Sequence, residues 1–211
     1  MERLQSLLRQ YNLSHKEDLL LAPWSKQYCE EEFPKYWEIV YSILQLFDKK
    51  SRVLEIGCGL GDVTAILCYL GFKHVTSLEN DELIFRAAQR RIVDMFNMNG
   101  VVRNENYPSN KQYTADILVL VNCVYAGQTK TKREYLDLIQ KYYVYAGRPN
   151  YFLMEVIDSS YIEKNSEFPE YIRLSRQDVE GLFRNCKISS WETYKYPQNS
   201  KSKTLYLIER Q

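Results

Sequence analysis

The 211-residue sequence predicts an α/β fold: a doubly wound, mostly parallel seven-stranded sheet, an antiparallel C-terminal strand hairpin and an N-terminal helical lid. Three observations carry this expectation. From Arg52 to Asp158, short apolar runs alternate with helical stretches, the pattern of parallel strands joined by right-handed crossover helices. A glycine-rich turn, "GCGLG", follows the first apolar run directly. The last two strand-like runs, "KISSWETYKY" and "KTLYLIERQ", are separated only by "PQNSKS", too short for a crossover helix, so they pair antiparallel.

The elements follow in order. Leu4, Leu7, Leu8 and Tyr11 recur at helical spacing, and Ser14 with Glu17 reads as a capping box before Leu19, Leu20 and Leu21. "APWSKQYCEEEF" interrupts these helices, and Pro34 opens a third with the stripe Trp37, Val40, Tyr41, Leu44 and Phe47. Arg52 to Ile56 reads as a buried strand, Asp62 to Leu70 as a helix stopped at Gly71, and His74 to Leu78 as the next strand. Asn80 is placed to cap a helix presenting Leu83, Ile84, Ala87, Ala88, Arg91, Ile92 and Met95. "VVRNENYP" reads as a short strand, Ala115 to Val121 as a buried one, Thr129 to Tyr145 as a helix and "YFLMEVID" as a strand. A helix capped at Ser175 runs through Val179, Leu182 and Phe183 into the hairpin.

Composition narrows the function classes. Charges nearly cancel at +1, and no run of basic residues announces duplex DNA or an anionic membrane. Five cysteines, Cys29, Cys58, Cys68, Cys123 and Cys186, form no C-x-x-C pair, which argues against a zinc knuckle or a disulfide framework. No metal site is expected. With no signal peptide and no long apolar segment, the expected location is the cytoplasm. Residues 1–50 read as a helical lid and 51–211 as the main domain, with 18 tyrosines suited to core edges or a ligand pocket.

Glycines at the first strand-to-helix turn let a nucleotide-like ligand approach without meeting a Cβ. Gly57, Gly59 and Gly61 occupy that turn in a G-x-G-x-G spacing, tighter than the dinucleotide fingerprint and less suited to a pyrophosphate. Glu55 lies inside the preceding strand, where a buried carboxylate needs a cation or donors. Glu79 ends the second strand, where a carboxylate can take both hydroxyls of a ribose.

On these residues the sequence resembles the class I S-adenosylmethionine-dependent methyltransferases. "VLEIGCGLG" is similar to their first motif, "VTSLEND" to the acidic end of their second strand and "ADILVLVNCVY" to their fourth strand. The resemblance implies S-adenosylmethionine as cofactor, with S-adenosylhomocysteine as product. It implies that the Gly57, Cys58, Gly59 and Gly61 backbone lines the methionine portion, that Glu55 supports that site, and that Glu79 holds the ribose. Removing Glu79 is then expected to weaken cofactor binding and barely change the stability of the free protein. Asn80 and Asp81 touch the adenosine or cap the helix; Asn106, with Glu105 as rival, meets the adenine; Asn122 lies beside the transferable methyl.

On the acceptor side, Asn122 to Tyr125, "NCVY", shares the end residues of an N-P-P-Y motif but lacks both prolines. Tyr125 is therefore either catalytic or a pocket-lining ring. Asp158, at the carboxyl edge of the fifth strand, is an acid/base candidate or a loop cap for Ser160, and His15 is a candidate carried by the lid. Trp24, Tyr28, Phe33, Tyr36 and Trp37 offer an aromatic cover or helix packing. The expected activity is methyl transfer to an O or N atom of a small-molecule acceptor by a monomer or homodimer, with neither nucleic acid nor membrane as partner. The alternatives are an RNA or protein methyltransferase and a non-catalytic cofactor-binding partner subunit.

Overall fold

Residues 1–21, 35–123, 129–161, 168–195 and 201–211 are described by the structure, a computed structural model. The chain divides into two compact units, Met1–Ser109 and Asn110–Gln211. The described strands number eight and are mostly parallel, one strand more than the sequence predicts.

The first unit holds α1 (Glu2–Ser14), α2 (Asp18–Leu21), α3 (Lys35–Leu44), β1 (Arg52–Ile56), α4 (Asp62–Tyr69), β2 (His74–Glu79), α5 (Glu82–Phe96) and β3 (Val102–Asn104). Its strands run in the order β3-β2-β1, all parallel. Pairing of Ile56 with Leu78 puts Gly57, the next residue of one chain segment, level with Glu79 at the end of the other. The apolar runs are continuous because both faces are covered: Val53, Leu54 and Ile56 are buried in β1, and α4 is buried almost throughout. Leu4 and Leu8 of α1 and Trp37, Val40 and Leu44 of α3 are fully buried, each contributing roughly 1.5–3 kcal/mol by apolar burial. The first two helices pack on α5 and the third on α4.

Local chemistry differs from expectation at three points in this unit. Ser14 is the last residue of α1 and its hydroxyl donates back to the Gln10 carbonyl at 3.2 Å, so it does not cap α2. Asp81, not Asn80, is the N-cap of α5: its Oδ1 accepts from the N–H groups of Leu83 and Ile84 at 2.9 and 3.0 Å. Leu83 is 59% exposed, because it falls in the first turn and one step off the buried line Ile84, Ala88 and Arg91.

The second unit holds β4 (Ile117–Leu120), α6 (Lys132–Tyr145), β5 (Tyr151–Asp158), a 3-10 turn (Glu170–Ile172), β6 (Arg173–Leu174), α7 (Arg176–Leu182), β7 (Cys186–Lys195) and β8 (Lys201–Arg210). Its strand order is β4-β5-β8-β7, parallel between β4 and β5 and antiparallel from β5 onward, as the short hairpin connection requires. The extra strand is β6, two residues that pair with Ile157 and Asp158 and are too short to show periodicity in sequence. Both helices start at capping boxes, Thr131 with Glu134 and Ser175 with Asp178. α6 thus begins at Lys132 rather than Thr129, since Thr131 takes the extended cap conformation. Tyr143, Phe152 and Phe183 form the aromatic centre of this unit, with Phe183 edge-on to both partners.

Candidate functional site

The loop after β1 is built on backbone conformations that L-residues avoid. Gly57, Gly59 and Gly61 have φ of 63°, 56° and 80°. A Cβ on Gly59 would meet nothing within 4 Å, so its glycine is required by conformation while its surroundings leave room for a ligand. Gly61 is tighter, with Ile92, Thr64 and Ala88 at 3.6–3.7 Å from such a Cβ. The loop is fastened by the Cys58 N–H donating to the Leu78 carbonyl at 3.0 Å and the Gly61 N–H to the Cys58 carbonyl at 2.9 Å.

Glu79 closes this loop from the end of β2. Its Oε2 accepts the Gly59 N–H at 2.9 Å, and its Oε1 accepts the N–H groups of Asn80 and Asp81 at 2.9 and 3.0 Å. One buried carboxylate therefore gathers backbone donors from two loops that both follow parallel strands. The Glu79 carbonyl in turn accepts from the Glu105 N–H and the Asn104 side chain, tying in the residues that follow β3. Glu105 accepts from Ser109 Oγ at 2.9 Å, and Asn106 is exposed beside the buried Tyr107.

Glu55 lies beneath the loop and is 3% exposed. Its Oε2 accepts from Thr64 Oγ1 at 2.6 Å and from Ser77 Oγ at 2.7 Å, and those two hydroxyl oxygens are 3.0 Å apart. Burial pushes its carboxyl up to about 7, against the two hydroxyl donors, and the nearby charges of Asp62 and Glu79 push the same way. Burial, with a contribution from Glu55, also pushes the Cys68 thiol up to about 12.

Arg91 is a scaffold residue that sequence reasoning placed on the buried stripe without assigning it a partner. Its Nη1 donates to the Asp62 carboxylate and to the Leu60 carbonyl, both at 2.8 Å, so a buried ion pair clamps the loop and the start of α4 to α5. The signal was present: a charge on an apolar helical stripe needs a buried acceptor.

In the second unit, Asn122 follows β4 with a left-handed φ of 53°. Its N–H donates to Glu155 Oε2 at 3.0 Å, and its Oδ1 accepts from Lys203 Nζ at 2.5 Å. Lys203 Nζ lies 3.7 Å from the same Glu155 oxygen. Glu155 and Lys203 meet because β5 and β8 pair Ile157 with Lys203, so the glutamate two residues earlier shares that face. Neither residue was singled out from sequence, although a glutamate inside "YFLMEVID" carries the same signal as Glu55 inside "RVLEI". On the opposite face of the strand pair, Asp158 Oδ2 accepts from Thr204 Oγ1 at 2.8 Å. Asp158 Oδ1 accepts from the Ser160 N–H and hydroxyl at 2.9 and 2.7 Å. Asp158 thus caps the turn after β5, and its carboxylate is engaged on both oxygens.

His15 caps the end of α1, stacks on Tyr11 with ring centroids 4.0 Å apart, and places Nδ1 3.0 Å from the Tyr11 carbonyl. Asp18 of α2 is ion-paired with Arg90 of α5. Tyr36 and Trp37 are buried, as helix packing requires. Tyr125, Trp24, Tyr28 and Phe33 lie outside the described residues. Among the described residues no cluster of three or more His, Cys, Asp or Glu side chains is arranged to hold a metal ion, and no helix is long and apolar enough to cross a membrane.

No protein-family model and no curated protein matches the sequence. Solved structures do match. Magnesium protoporphyrin IX methyltransferase from Synechocystis PCC 6803, with bound S-adenosylhomocysteine, aligns at TM-score 0.64 and 13% identity over 98% of this chain and 99% of that one. A S-adenosylmethionine-dependent methyltransferase from Clostridium acetobutylicum aligns at TM-score 0.59 and 13% identity, covering 95% and 98%. The methyltransferase domain of a bacterial Hen1 protein gives TM-score 0.59 and 11% identity over 83% and 97%. At these identities the likeness establishes the fold: the chain has the fold of the class I S-adenosylmethionine-dependent methyltransferases.

Proposed function

We propose that the chain is a S-adenosylmethionine-dependent methyltransferase that methylates an O or N atom of a small-molecule acceptor. The observation that carries this reading is the left-handed glycine loop with open space at Gly59, closed by the Glu79 carboxylate at the end of the adjacent strand. These residues fit the cofactor. The Gly57, Cys58, Gly59 and Gly61 backbone would line the methionine portion, with Glu55 beneath it, and Glu79 would hold the ribose. Asn80 and Asn106 remain the adenosine-side candidates and Asn122 the methyl-side one.

When bound, S-adenosylmethionine would supply an electrophilic methyl on a sulfonium. The protein's own part is to orient the acceptor and exclude water, which by itself lowers the barrier substantially. Asp158 holds the turn after β5 through three donors, and it, His15 and Tyr125 remain the candidates to take any acceptor proton that is not lost to solvent. Residues 1–50 serve as the lid that selects the acceptor. The near-neutral charge and the near-complete mutual coverage with a methyltransferase of a small molecule support a small acceptor over RNA or protein; a cytoplasmic monomer or homodimer is part of the same proposal.

Calorimetry tests the cofactor: S-adenosylmethionine or S-adenosylhomocysteine should bind at micromolar concentration and NADH should not. Binding of NADH alone would overturn the reading. Incubation with methyl-labelled cofactor and either a metabolite pool or total RNA then tests the acceptor, with label expected in a small molecule; label in RNA would replace that part of the proposal.

A further inference from the structure

We propose that Glu55 is a neutral carboxylic acid in the free protein and loses its proton to solvent when the ammonium group of an amino-acid-bearing ligand binds at the glycine loop. Cofactor binding and proton release are thereby coupled. This inference rests on the cofactor reading above.

The geometry begins with three oxygens. Glu55 Oε2, Thr64 Oγ1 and Ser77 Oγ lie 2.6, 2.7 and 3.0 Å apart, each within hydrogen-bonding distance of the other two. For each contact to carry its own hydrogen three protons are needed, and two hydroxyls supply only two. A carboxyl proton on Glu55 supplies the third, and each oxygen then donates once and accepts once around the ring. An ionised Glu55 would leave the contact between the two hydroxyl oxygens without a hydrogen of its own.

The surroundings favour the same state. Glu55 is 3% exposed, and no cation among the described residues pairs with it. From α4 it faces Asp62, whose charge is met by Arg91 of α5, and the neutral Cys68 thiol. From β2 it faces Glu79, a second carboxylate. Burial without a counter-charge disfavours an anion. Its carboxyl is correspondingly pushed up to about 7. A bound ammonium at Gly57–Gly61 would place the missing positive charge within a few residues of Glu55, and an opposite charge favours ionisation.

The sign follows from linkage. A group protonated in the free protein and ionised in the complex releases its proton on binding, most completely below pH 7, so affinity falls as pH falls. With S-adenosylhomocysteine as the probe, binding should be roughly tenfold weaker at pH 6 than at pH 8. Calorimetry in two buffers of different ionisation enthalpy should report release of close to one proton at pH 6 and close to none at pH 8. Glu55→Gln should abolish both the release and the pH dependence.

Wild-type binding with identical enthalpy in both buffers at pH 6 would overturn the inference and leave the cofactor reading standing. Retention of proton release by Glu55→Gln would overturn it as well. Failure of the wild type to bind S-adenosylhomocysteine at either pH would overturn the cofactor reading and this inference with it. Should Glu55→Gln bind nothing, carboxyl carbon NMR of the wild type decides: Glu55 should titrate near neutrality when free and well below it when bound, and an unmoved titration would sink the idea.

Discussion

Glu79 and Asp158 hold matching places in the two compact units, each the last residue of a parallel strand and each buried, yet they are held by different kinds of donor. Glu79 takes three backbone N–H groups, one from the glycine loop and two from the turn before α5. Asp158 takes two hydroxyls and one N–H, from Ser160 and Thr204, and so fastens its own turn to β8. The first arrangement joins two loops and leaves its backbone donors beside a space at Gly59 that a ligand can enter. The second is closed on itself. Glu79 thus joins two loops that follow neighbouring parallel strands, whereas Asp158 ties the turn after its own strand to β8.

The same contrast separates the two buried mid-strand glutamates. Glu55 meets two hydroxyls and, among the described residues, no cation. Glu155 meets the Asn122 N–H and lies 3.7 Å from the Lys203 ammonium. The first is built to be neutral and the second is charge-compensated.

The largest effect should come from the scaffold of the first unit. Arg91→Met strands the Asp62 carboxylate and the Leu60 carbonyl in a buried site, and breaking a buried pair from one side costs about 3–5 kcal/mol. Urea denaturation of the free protein should show that loss. A loss below about 1 kcal/mol would mean that the clamp is not what holds the loop.

Next in size is a pH effect on the free protein. Glu55 is pushed up from 4.5 to about 7 by folding, so between those values the folded state binds more protons than the unfolded one. Stability therefore falls as pH rises through that window, by about 3 kcal/mol for this group alone, and levels above it. Glu55→Gln, a neutral isostere, should remove the slope and be more stable than wild type at pH 8. A wild-type and variant pair with parallel pH profiles would contradict the neutral-carboxyl account.

Asp158→Asn should give the smallest change. It keeps the side-chain shape and one acceptor oxygen, so the expected loss is about 1 kcal/mol of stability, with S-adenosylhomocysteine affinity within threefold of wild type. A tenfold loss of affinity without a change in melting temperature would return Asp158 to the ligand site.

What the sequence made legible was local. The glycine turn after β1, the position of Glu79 at the end of β2 and the helix cap at Ser175 each follow from strand ends, turn conformation or capping preference. The clamps were not legible, because Arg91 reaches a partner 29 residues away, Asn122 one 33 away and Lys203 one 81 away. The parallel pairing of β4 with β5, the register of β5 against β8 and the packing of α5 on α4 bring those pairs together. Asp81 rather than Asn80 caps α5 for a local reason: its side chain is the one that meets the Leu83 and Ile84 N–H groups, while the N–H groups of Asn80 and Asp81 both turn back to Glu79.

The structure also revises one expectation about Glu79 itself. Because its carboxylate gathers three N–H groups in the free protein, Glu79→Ala should cost about 1–2 kcal/mol of unliganded stability rather than none. The central claim is that this carboxylate also holds the ribose of the cofactor. The most direct measurement is the calorimetric affinity of S-adenosylhomocysteine for wild type and Glu79→Ala, each shown by circular dichroism to be folded at the working temperature. Loss of two charge-assisted hydrogen bonds predicts binding weaker by about 2–4 kcal/mol, roughly 30-fold to 1,000-fold. A folded Glu79→Ala protein that binds within threefold of wild type would contradict the account, leaving Glu79 as a loop fastener and the glycine loop without its ribose partner.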